Sequence, residues 1–381
     1  MKTKLSLLVL LLLVSTITLQ AQVTITTQAG NPSFTTIQAA VDAANTNDVI
    51  EVSAGIYNER VTVTTDNLTI TGPNAGINPN TGTRVSEATI SVPASIPSGF
   101  FLDGVSGITI DGVEVDANSE LFGIFHGASN NEGGITIRNN IVKNAGFAGF
   151  QGNTFPTSGS SSSSNNNITD NLFSNNTDYG INLNGSYYTN VTNNVIENTK
   201  IGILSTNTSI AAATATVEFR NNNISSSQIG IIYNIAFGSA TPLIFEDNDI
   251  SAEDNASFIN WSGFKLLELG GSVNPTINDN TITGGTVNQQ TSGYTLWNSD
   301  TSTPDGVVVD DGDVTNVDYG VRLYNVDDVN GDAGSSTTAL IQNITIDNAS
   351  IAGVYIYDNP SNTNGASAFV DATVINNSID N

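Results

Sequence analysis

Cysteine is absent from the 381-residue chain, and histidine and methionine occur once each. The missing thiols exclude disulfides, thiolate metal sites, iron–sulfur clusters and a cysteine nucleophile. The single histidine excludes zinc sites and haem pockets that are built on several imidazoles. Basic residues are also scarce, because 10 Lys and Arg stand against 36 Asp and Glu, which gives a formal net charge of -26. A nucleic-acid partner is therefore excluded, since phosphate binding needs a basic face.

The first 21 residues have the three-part layout of a secretory signal peptide. Lys2 and Lys4 precede an apolar run from Leu5 to Val14, and a polar stretch then leads to the small residue Ala21. The apolar run is too short for a membrane anchor, which needs about 20 apolar residues. We expect cleavage after Ala21 and a mature protein that is secreted or held on the outer cell surface. No later segment of the sequence is apolar enough to span a bilayer.

Asparagine is abundant, with 51 copies, and many of them mark a repeat. A β-prone residue, two polar residues and an anchor, usually Asn, recur along the chain at intervals of 23 to 34 residues. A second phrase, a glycine between apolar or aromatic residues, follows most anchors after eight to ten residues. No helical periodicity lies between the two phrases. The anchors are Asn140, Asn171, Asn194, Asn222, Asn248, Asn280, Gly312, Asn343 and Asn377.

This pattern predicts an all-β solenoid in which each coil forms hydrogen bonds with the coils above and below. Asparagine suits the anchor position because it tolerates a left-handed backbone and its amide can bond to its stacked equivalent. A sandwich or a propeller would instead show hairpin turns at regular spacing.

The sequence from Val23 onward resembles the right-handed parallel β-helix (pectin-lyase-like) superfamily, and in particular its secreted bacterial repeat proteins. The most specific part is the entry segment, where Thr35 and Gln38 have capping-box spacing. The resemblance implies a single domain over residues 22–381, with residues 22–48 as the entry and capping helix. The C-terminus lacks a cap, so a further module or a partner is expected to cover the last coil. The apolar helix face is Ile37, Ala40, Val41 and Ala44, and the first strands are expected at Val49–Val52, Val61–Val63 and Leu68–Ile70.

The superfamily includes polysaccharide lyases and hydrolases, and the resemblance implies that a hydrolase of this kind would carry its catalytic carboxylates on neighbouring coils. Asn176-Thr177-Asp178 and Asp310-Asp311 look like hydrolase motifs, yet their coils lie five apart in the repeat. At about 4.8 Å per coil the separation is about 24 Å, which is too far for one glycosidic bond. For a lyase, the weak catalytic candidates are Arg138 and Lys143 on one coil and His126 on the coil before.

Acidic residues recur at one position of three successive coils. Asp247, Asp279 and Asp311 each precede an anchor. Carboxylates stacked about 4.8 Å apart repel each other unless they splay into solvent or share a hard cation. Calcium is the predicted cofactor, and splayed carboxylates are the alternative. A second, weaker calcium candidate has oxygen ligands at alternate positions of a loop, at Asp328, Asn330 and Asp332.

Aromatic residues form a second column on neighbouring coils. Counting from the glycine of the second phrase, residues at plus one and plus three should point inward. The expected inward residues are Tyr294 and Leu296, Val321 and Leu323, and Val354 and Ile356. Outward positions then hold sugar-binding candidates, since exposed aromatic rings suit the apolar faces of sugars. Cross-strand packing of the rings is the alternative explanation. These ligand-binding candidates are Trp297, Arg322, Tyr324, Tyr355 and Tyr357.

The sequence thus favours a secreted or cell-surface repeat protein that binds an extended polysaccharide along its lateral face. The first alternative is a calcium-assisted polysaccharide lyase that uses Arg138, Lys143 or Arg322. The second is an adhesin or structural spacer. A strongly negative protein repels anionic polymers, so neutral glycans are the expected partner.

Overall fold

Three parallel sheets run along the protein in the computed structural model, and the chain coils through each of them in turn. The structure describes residues 22–127, 133–153, 166–184, 189–207, 217–235, 243–253, 260–267, 275–285, 290–298, 307–325, 336–358 and 369–380. In these residues no helix is both long and apolar enough to cross a membrane. The predicted signal peptide, residues 1–21, lies outside the described residues.

The elements in chain order are β1 (Val23–Ile25), β2 (Ser33–Phe34), α1 (Ile37–Ala43), β3 (Val49–Val52), β4 (Gly55–Tyr57), β5 (Val61–Val63), β6 (Thr69–Thr71), β7 (Ala88–Ser91), β8 (Ser98–Asp103), β9 (Thr109–Asp111), β10 (Glu114–Asp116), β11 (Phe122–Gly127), β12 (Thr136–Arg138), β13 (Ile141–Lys143), β14 (Ala148–Asn153), β15 (Asn166–Thr169), β16 (Leu172–Ser174), β17 (Tyr179–Asn184), β18 (Thr189–Thr192), β19 (Val195–Asn207), β20 (Val217–Arg220), β21 (Asn223–Ile235), β22 (Leu243–Glu246), β23 (Asp249–Ala252), β24 (Ser262–Leu267), β25 (Thr276–Thr283), β26 (Ser292–Asn298), β27 (Val307–Asn325), β28 (Ser336–Gln342), β29 (Thr345–Asp358), β30 (Phe369–Ile375) and β31 (Ser378–Asp380).

Each coil contributes one stretch to each sheet. Sheet A contains β3, β6, β9, β12, β15, β18, β20, β22, β28, β30 and the first parts of β25 and β27. Sheet B contains β4, β7, β10, β13, β16, β23, β31, the first parts of β19, β21 and β29, the last part of β25 and the middle of β27. Sheet C contains β5, β8, β11, β14, β17, β24, β26 and the last parts of β19, β21, β27 and β29. The predicted parallel β-helix is confirmed.

The helix α1 covers the first coil, as the entry segment predicted. Ile37, Ala40 and Val41 are buried on its inner face. The predicted capping box is wrong, because the N-cap is Thr36, whose hydroxyl accepts a hydrogen bond from the backbone N–H of Ala39 at 3.2 Å. The carboxylate of Glu59 accepts hydrogen bonds from the backbone N–H groups of the first two helix residues, Ile37 and Gln38. A side chain distant in sequence therefore satisfies donors that the first turn leaves open.

Six of the predicted anchor asparagines, from Asn140 to Asn280, form a continuous buried ladder. In each step the amide nitrogen and the backbone N–H of one Asn both donate to the side-chain oxygen of the next, as from Asn194 to Asn222 at 3.1 Å for both bonds. Equivalent amide-to-amide bonds of 2.9 to 3.2 Å link Asn140, Asn171, Asn194, Asn222, Asn248 and Asn280. The predicted stacking of successive coils is therefore confirmed. Asn343 was also predicted as an anchor, and that prediction is wrong by one residue: Asn343 is exposed with a φ of 57°, and Ile344 holds the inward position of its coil, where its N–H donates to Oδ1 of Asn377 at 2.9 Å.

The predicted left-handed geometry falls one residue earlier than the anchor. Asn139, Asn193 and Asn221 have φ values of 54 to 57°, and Asp247 and Asp279 have values of 55° and 53°. The anchor itself turns inward, where its amide spans two coils. The residue before the anchor therefore makes the bend, and the anchor itself forms hydrogen bonds with buried backbone groups.

Glycines of the second phrase mark a close approach between coils. A Cβ added at Gly230 would lie 2.2 Å from the Cγ2 atom of Ile250 and 2.5 Å from the carbonyl oxygen of Gly263. Any side chain there would push adjacent coils apart. Sheet A also contains an ion pair between Arg220 and Glu246, which are Cα partners on neighbouring strands.

Candidate functional site

The predicted ligand-binding residues lie on sheet C in β26, β27 and β29. The strand register pairs Trp297 with Tyr324 and Tyr324 with Tyr357. The same register pairs Arg322 with Tyr355. The strand register therefore aligns the backbone positions of these residues in the predicted columns. Tyr357 is 41% exposed, whereas the side chains of Trp297 and Tyr324 lie outside the described part of the structure.

The predicted alternation of inward and outward positions holds in the two earlier coils and fails in the last. Tyr294 and Leu296 are buried, as are the equivalent residues of β27. Ile356 was expected inside, yet it is 45% exposed. Within the described residues no sheet C strand packs on the far side of β29, so its inner face has a neighbour on one side alone. Thr295 lies on the outer face as expected, but neighbouring side chains bury it.

A polar cleft of about 400 Å³ opens on the outer face of sheet C beside these columns. Lys265, Thr295 and Arg322 occupy one column, because β24, β26 and β27 pair in register at these residues. Most of the lining is uncharged and polar, so the cleft offers hydroxyl and amide groups around two cations. The lining residues are Asn260, Trp261, Ser262, Lys265, Gln290, Ser292, Thr295 and Arg322.

Hydrogen bonds fix several lining groups. The hydroxyls of Ser262 and Thr295 lie 3.1 Å apart, and Nη1 of Arg322 donates to Oγ of Ser292 at 3.2 Å. The indole N–H of Trp261 donates to a backbone carbonyl at 3.1 Å, which fixes the ring as part of the cleft wall. The lining is therefore largely preorganised before any ligand arrives.

Burial and mutual repulsion act on the two cations of the cleft. Desolvation, followed by the positive charge of Arg322, lowers the pKa of Lys265. Desolvation also lowers the pKa of Arg322, against the opposing effects of Tyr319, Tyr355 and the buried Asp318. The guanidinium lies over the ring of Tyr319, 4.4 Å from its centroid. Two cations with lowered pKa values in one cleft favour a ligand rich in hydrogen-bond acceptors.

Sequence reasoning missed most of the cleft. Lys265, Ser262 and Ser292 belong to it, yet none stood out in the sequence. The glycine of the second phrase could have found them, because Ser262 and Ser292 directly precede Gly263 and Gly293. Lys265 falls two residues after its glycine, the position that Arg322 has in its own coil.

The acidic column has the predicted vertical register. The pairings of β22 with β25 and of β25 with β27 bring Asp247, Asp279 and Asp311 to one corner of successive coils, all exposed. Partial desolvation, followed by repulsion from Asp311 and Asp247, raises the pKa of Asp279. No three such side chains are placed to hold a metal ion among the residues described. Calcium binding here stays a prediction, and the loop candidates Asp328, Asn330 and Asp332 lie outside the described residues.

The three weak catalytic candidates do not form a cluster. His126 lies on sheet C, Arg138 on sheet A and Lys143 on sheet B, because the chain turns two corners between them. His126 points into the coil and is 1% exposed. Arg138 pairs with Asp111 at 2.8 Å and Lys143 with Glu114 at 3.0 Å. The prediction that they share one site is wrong, since residues on one coil can face different directions.

The hydrolase-like motifs have structural partners. Asn176 is buried, and its side-chain oxygen accepts from the N–H of Ala145 at 3.0 Å. Asp178 forms an ion pair with Lys200. Asp310 accepts hydrogen bonds from two amide side chains of the next coil.

Comparisons with known proteins agree with this architecture. The family model for the periplasmic copper-binding protein (NosD) matches residues 39–238. A lacto-N-biosidase of glycoside hydrolase family 136 from Eubacterium ramulus superimposes with a TM-score of 0.51 at 8% identity, over 86% of this chain and 61% of the enzyme. This chain thus spans less than two thirds of that enzyme. The A-module of the Azotobacter vinelandii mannuronan C-5 epimerase AlgE6 has a TM-score of 0.43 at 16% identity, over 91% of this chain and 94% of the module.

Pectate lyase Pel9A has a TM-score of 0.43 at 13% identity, over 87% of this chain and 76% of the lyase. At these identities the likeness concerns the β-helix fold alone. No curated protein has a sequence that matches this chain significantly.

The matched description names copper, and the donor groups of this chain do not fit that metal. Copper sites in proteins are built from cysteine and methionine sulfur and from imidazole nitrogen. The chain has no cysteine, one methionine and one histidine, and that histidine, His126, is buried inside the coil. The residues described here include no group of three histidine or carboxylate side chains placed for a metal.

Proposed function

Because the chain belongs to the periplasmic copper-binding protein (NosD) family, we propose that it works outside the cytoplasm and binds an extended polysaccharide along sheet C. The predicted signal peptide supports this location, and so does the periplasmic description of the family. Copper is not part of the proposal, since the donor groups do not suit it. The ligand is inferred from the polar cleft instead.

The observation that carries the proposal is the composition of the cleft. Its hydroxyl and amide groups can both donate and accept, as the hydroxyls of a sugar require. Lys265 and Arg322 supply donors to ring and glycosidic oxygens. Tyr355 continues the column of Arg322 on the next coil. An aromatic surface beside such donors suits a sugar ring, which has an apolar face and a polar rim.

The repeat makes the binding surface linear. Every coil adds a strand about 4.8 Å further along sheet C, so equivalent side chains form straight columns parallel to the long axis. A polymer with a regular spacing can contact such columns over many coils. This geometry favours an extended chain over a compact ligand.

Binding is tested by electrophoresis through gels that contain a soluble polysaccharide, with pullulan, xyloglucan, laminarin and polygalacturonate as probes. Arg322→Gln should weaken retention by about tenfold or more, because a hydrogen bond from a charged group contributes about 1.5–3 kcal/mol. Arg220→Gln makes the same charge change on sheet A and should leave retention unchanged. Equal retention of both variants would overturn the cleft as the binding site. Absence of retention on every polymer would favour the spacer or adhesin alternative.

A polysaccharide lyase is the second candidate, and the lowered pKa of Lys265 favours it. A lysine with a lowered pKa can take a proton, and a neighbouring Arg322 can stabilise the negative charge that develops. Incubation with uronic acid polymers should then produce absorbance from unsaturated sugars, with and without calcium. Lys265→Gln should abolish that signal while the protein remains folded. If no polymer gave this absorbance, the lyase candidate would be rejected and only the binding function would remain.

A further inference from the structure

A ribbon of aromatic side chains lies on sheet C at the opposite end from the cleft. We call it the aromatic ribbon, and the sequence did not predict it as a site. Ring centroids are 5.3 Å apart for Phe101 and Phe125, 5.0 Å for Phe122 and Phe125, and 5.8 Å for Phe122 and Phe147. Tyr179 continues the ribbon at 5.1 Å from Phe147. All five rings are partly exposed.

The ribbon and the cleft share one column of sheet C. Phe101 pairs with Phe125, and the register continues through Gln151 to Asn182. Three further coil-to-coil pairings lead from Asn182 to Lys265. Phe125 and Lys265 are therefore five coils apart, or about 24 Å along the axis. A single extended chain could lie across both surfaces without a bend.

Two polar atoms beside the ribbon have no hydrogen-bond partner among the described residues. Arg60 stacks its guanidinium over Phe101, 4.6 Å from the ring centroid, and its buried Nε has no acceptor. The side-chain oxygen Oδ1 of Asn182 is also buried without a donor. Buried polar groups are normally satisfied, so each such atom needs an explanation.

The position of Asn182 supplies that explanation. Ile181 and Leu183 on either side point into the core, so strand alternation places Asn182 on the outer face. The Asn182 residue is 6% exposed there. The next coils have Leu204 and Ile232 at this column position. An apolar residue therefore fits the strand, and the coil-to-coil packing does not require the amide.

We propose that the aromatic ribbon, with Arg60 and Asn182, is a second binding site for the same polysaccharide and takes a neutral stretch of sugar rings. The exposed parts of the phenyl rings contact the C–H faces of the sugars. One sugar hydroxyl donates to Oδ1 of Asn182, and another oxygen accepts from Nε of Arg60. The inference rests on the proposed function, because it assigns a second part of one glycan surface.

The test uses the full-length mature protein and the same polysaccharide gels. Asn182→Leu should weaken retention on neutral polymers about fivefold, as expected for one lost hydrogen bond. The same variant should raise the melting temperature, because it removes a buried acceptor that has no partner. A purely structural amide predicts the reverse, with a lower melting temperature and unchanged retention. Arg60→Gln should weaken retention to a similar extent, while Asn223→Leu on sheet B is the matched control and should not.

The outcomes separate this inference from the proposed function. If Arg322→Gln weakens retention while Asn182→Leu and Arg60→Gln do not, the cleft binds glycan and the ribbon proposal is overturned. If only the ribbon variants weaken retention, the ribbon is a site and the cleft is not. Absence of retention for the unaltered protein would overturn both. A ribbon variant that changes the mass measured by light scattering, with retention unchanged, would identify the ribbon as a contact between copies and overturn the proposal.

Discussion

Replacing one asparagine in the middle of the buried ladder should destabilise the protein more than its small size suggests. Asn222 is 1% exposed and makes four side-chain hydrogen bonds with neighbouring coils. Its oxygen accepts from the backbone N–H and the amide of Asn194, both at 3.1 Å. Its amide donates to the carbonyl of Val191 at 2.8 Å and to Oδ1 of Asn248 at 3.0 Å.

The magnitude follows from the partners that Asn222→Ala leaves behind. The amide of Asn194 keeps bonds to two carbonyls, and Oδ1 of Asn248 keeps the backbone N–H of residue 222. The N–H of Asn194 loses the acceptor shown for it, and a buried donor without a partner costs about 1–3 kcal/mol. With about 1 kcal/mol for the bonds lost elsewhere, we expect a loss of about 2–4 kcal/mol in the free energy of unfolding. Asn223→Ala, on an exposed neighbour, should change it by less than about 0.5 kcal/mol.

The variant Asn222→Asp adds a pH signature. Its carboxylate keeps an acceptor for Asn194 but turns a negative charge toward two acceptors, Val191 O and Asn248 Oδ1. Burial should raise the folded-state pKa above the usual value of about 3.9. The stability of this variant is therefore highest below that pH and is lost as the pH rises through the folded-state pKa. Urea unfolding, followed by tryptophan fluorescence and circular dichroism at several pH values, measures both variants.

Two results would refute the ladder as a source of stability. One is an unfolding free energy for Asn222→Ala equal to that of the exposed control. The other is an Asn222→Asp variant whose deficit relative to the unaltered protein does not shrink between pH 7 and pH 4.

Four further predictions concern other parts of the solenoid. Burial raises the pKa of Glu253, so Glu253→Gln should raise the melting temperature at pH 7, and this gain should shrink toward pH 4, where the native carboxyl is protonated. Asp279→Asn should raise the melting temperature in chelator, because it removes repulsion within the acidic column. If calcium binds this column, added calcium should stabilise the unaltered protein and not the variant. An unchanged melting temperature of the unaltered protein on adding calcium would contradict calcium binding. Burial raises the pKa of Tyr57 to about 12. The free energy of unfolding, measured with urea, should therefore decrease as the pH rises from 10 to 12, and it should decrease less for Tyr57→Phe. Asn193 has a φ of 57°, so Asn193→Ala should cost about 1 kcal/mol in urea unfolding and Asn193→Gly much less.

The order in which the coils stack could be predicted from the sequence. The directions in which the residues of one coil face could not. Equivalent anchors identify coils, so Asn194, Asn222 and Asn248 were expected to stack, and they do. The direction in which residues of one coil face depends on the corners between strands. His126, Arg138 and Lys143 were grouped by coil, yet two corners separate their side chains.

The cleft was only partly predictable for a related reason. Arg322 and Tyr355 followed from counting along a coil, because both lie on regular strand positions. Lys265 becomes important through its vertical neighbour Arg322, which lies two coils away with Thr295 between. The sequence does not indicate that these two cations line the same cleft, because the cleft is also formed by Asn260 and Gln290 in the turns. Burial of this kind is a tertiary property.

The energetics of stacking indicate which columns serve the fold and which require another explanation. Stacked asparagines satisfy each other, because every amide carries both a donor and an acceptor, and the ladder stabilises each coil that repeats it. Charged residues gain nothing from the same arrangement. Two like charges about 9.6 Å apart repel by about 0.4 kcal/mol in water and by more where solvent is partly excluded.

Lys265 and Arg322 have this spacing, and both lose hydration in the cleft. Their placement therefore works against folding, in a chain with only 10 basic residues to distribute. A ligand that supplies acceptor oxygens to both would recover that free energy on binding, and the protein should then be more stable with its polysaccharide than without it. A polysaccharide that retains the protein in the gel should raise its melting temperature, and it should raise that of Arg322→Gln by less. This result would show that the ligand offsets the unfavourable placement of the two cations. A stabilisation of equal size in both proteins would show that the ligand binds elsewhere.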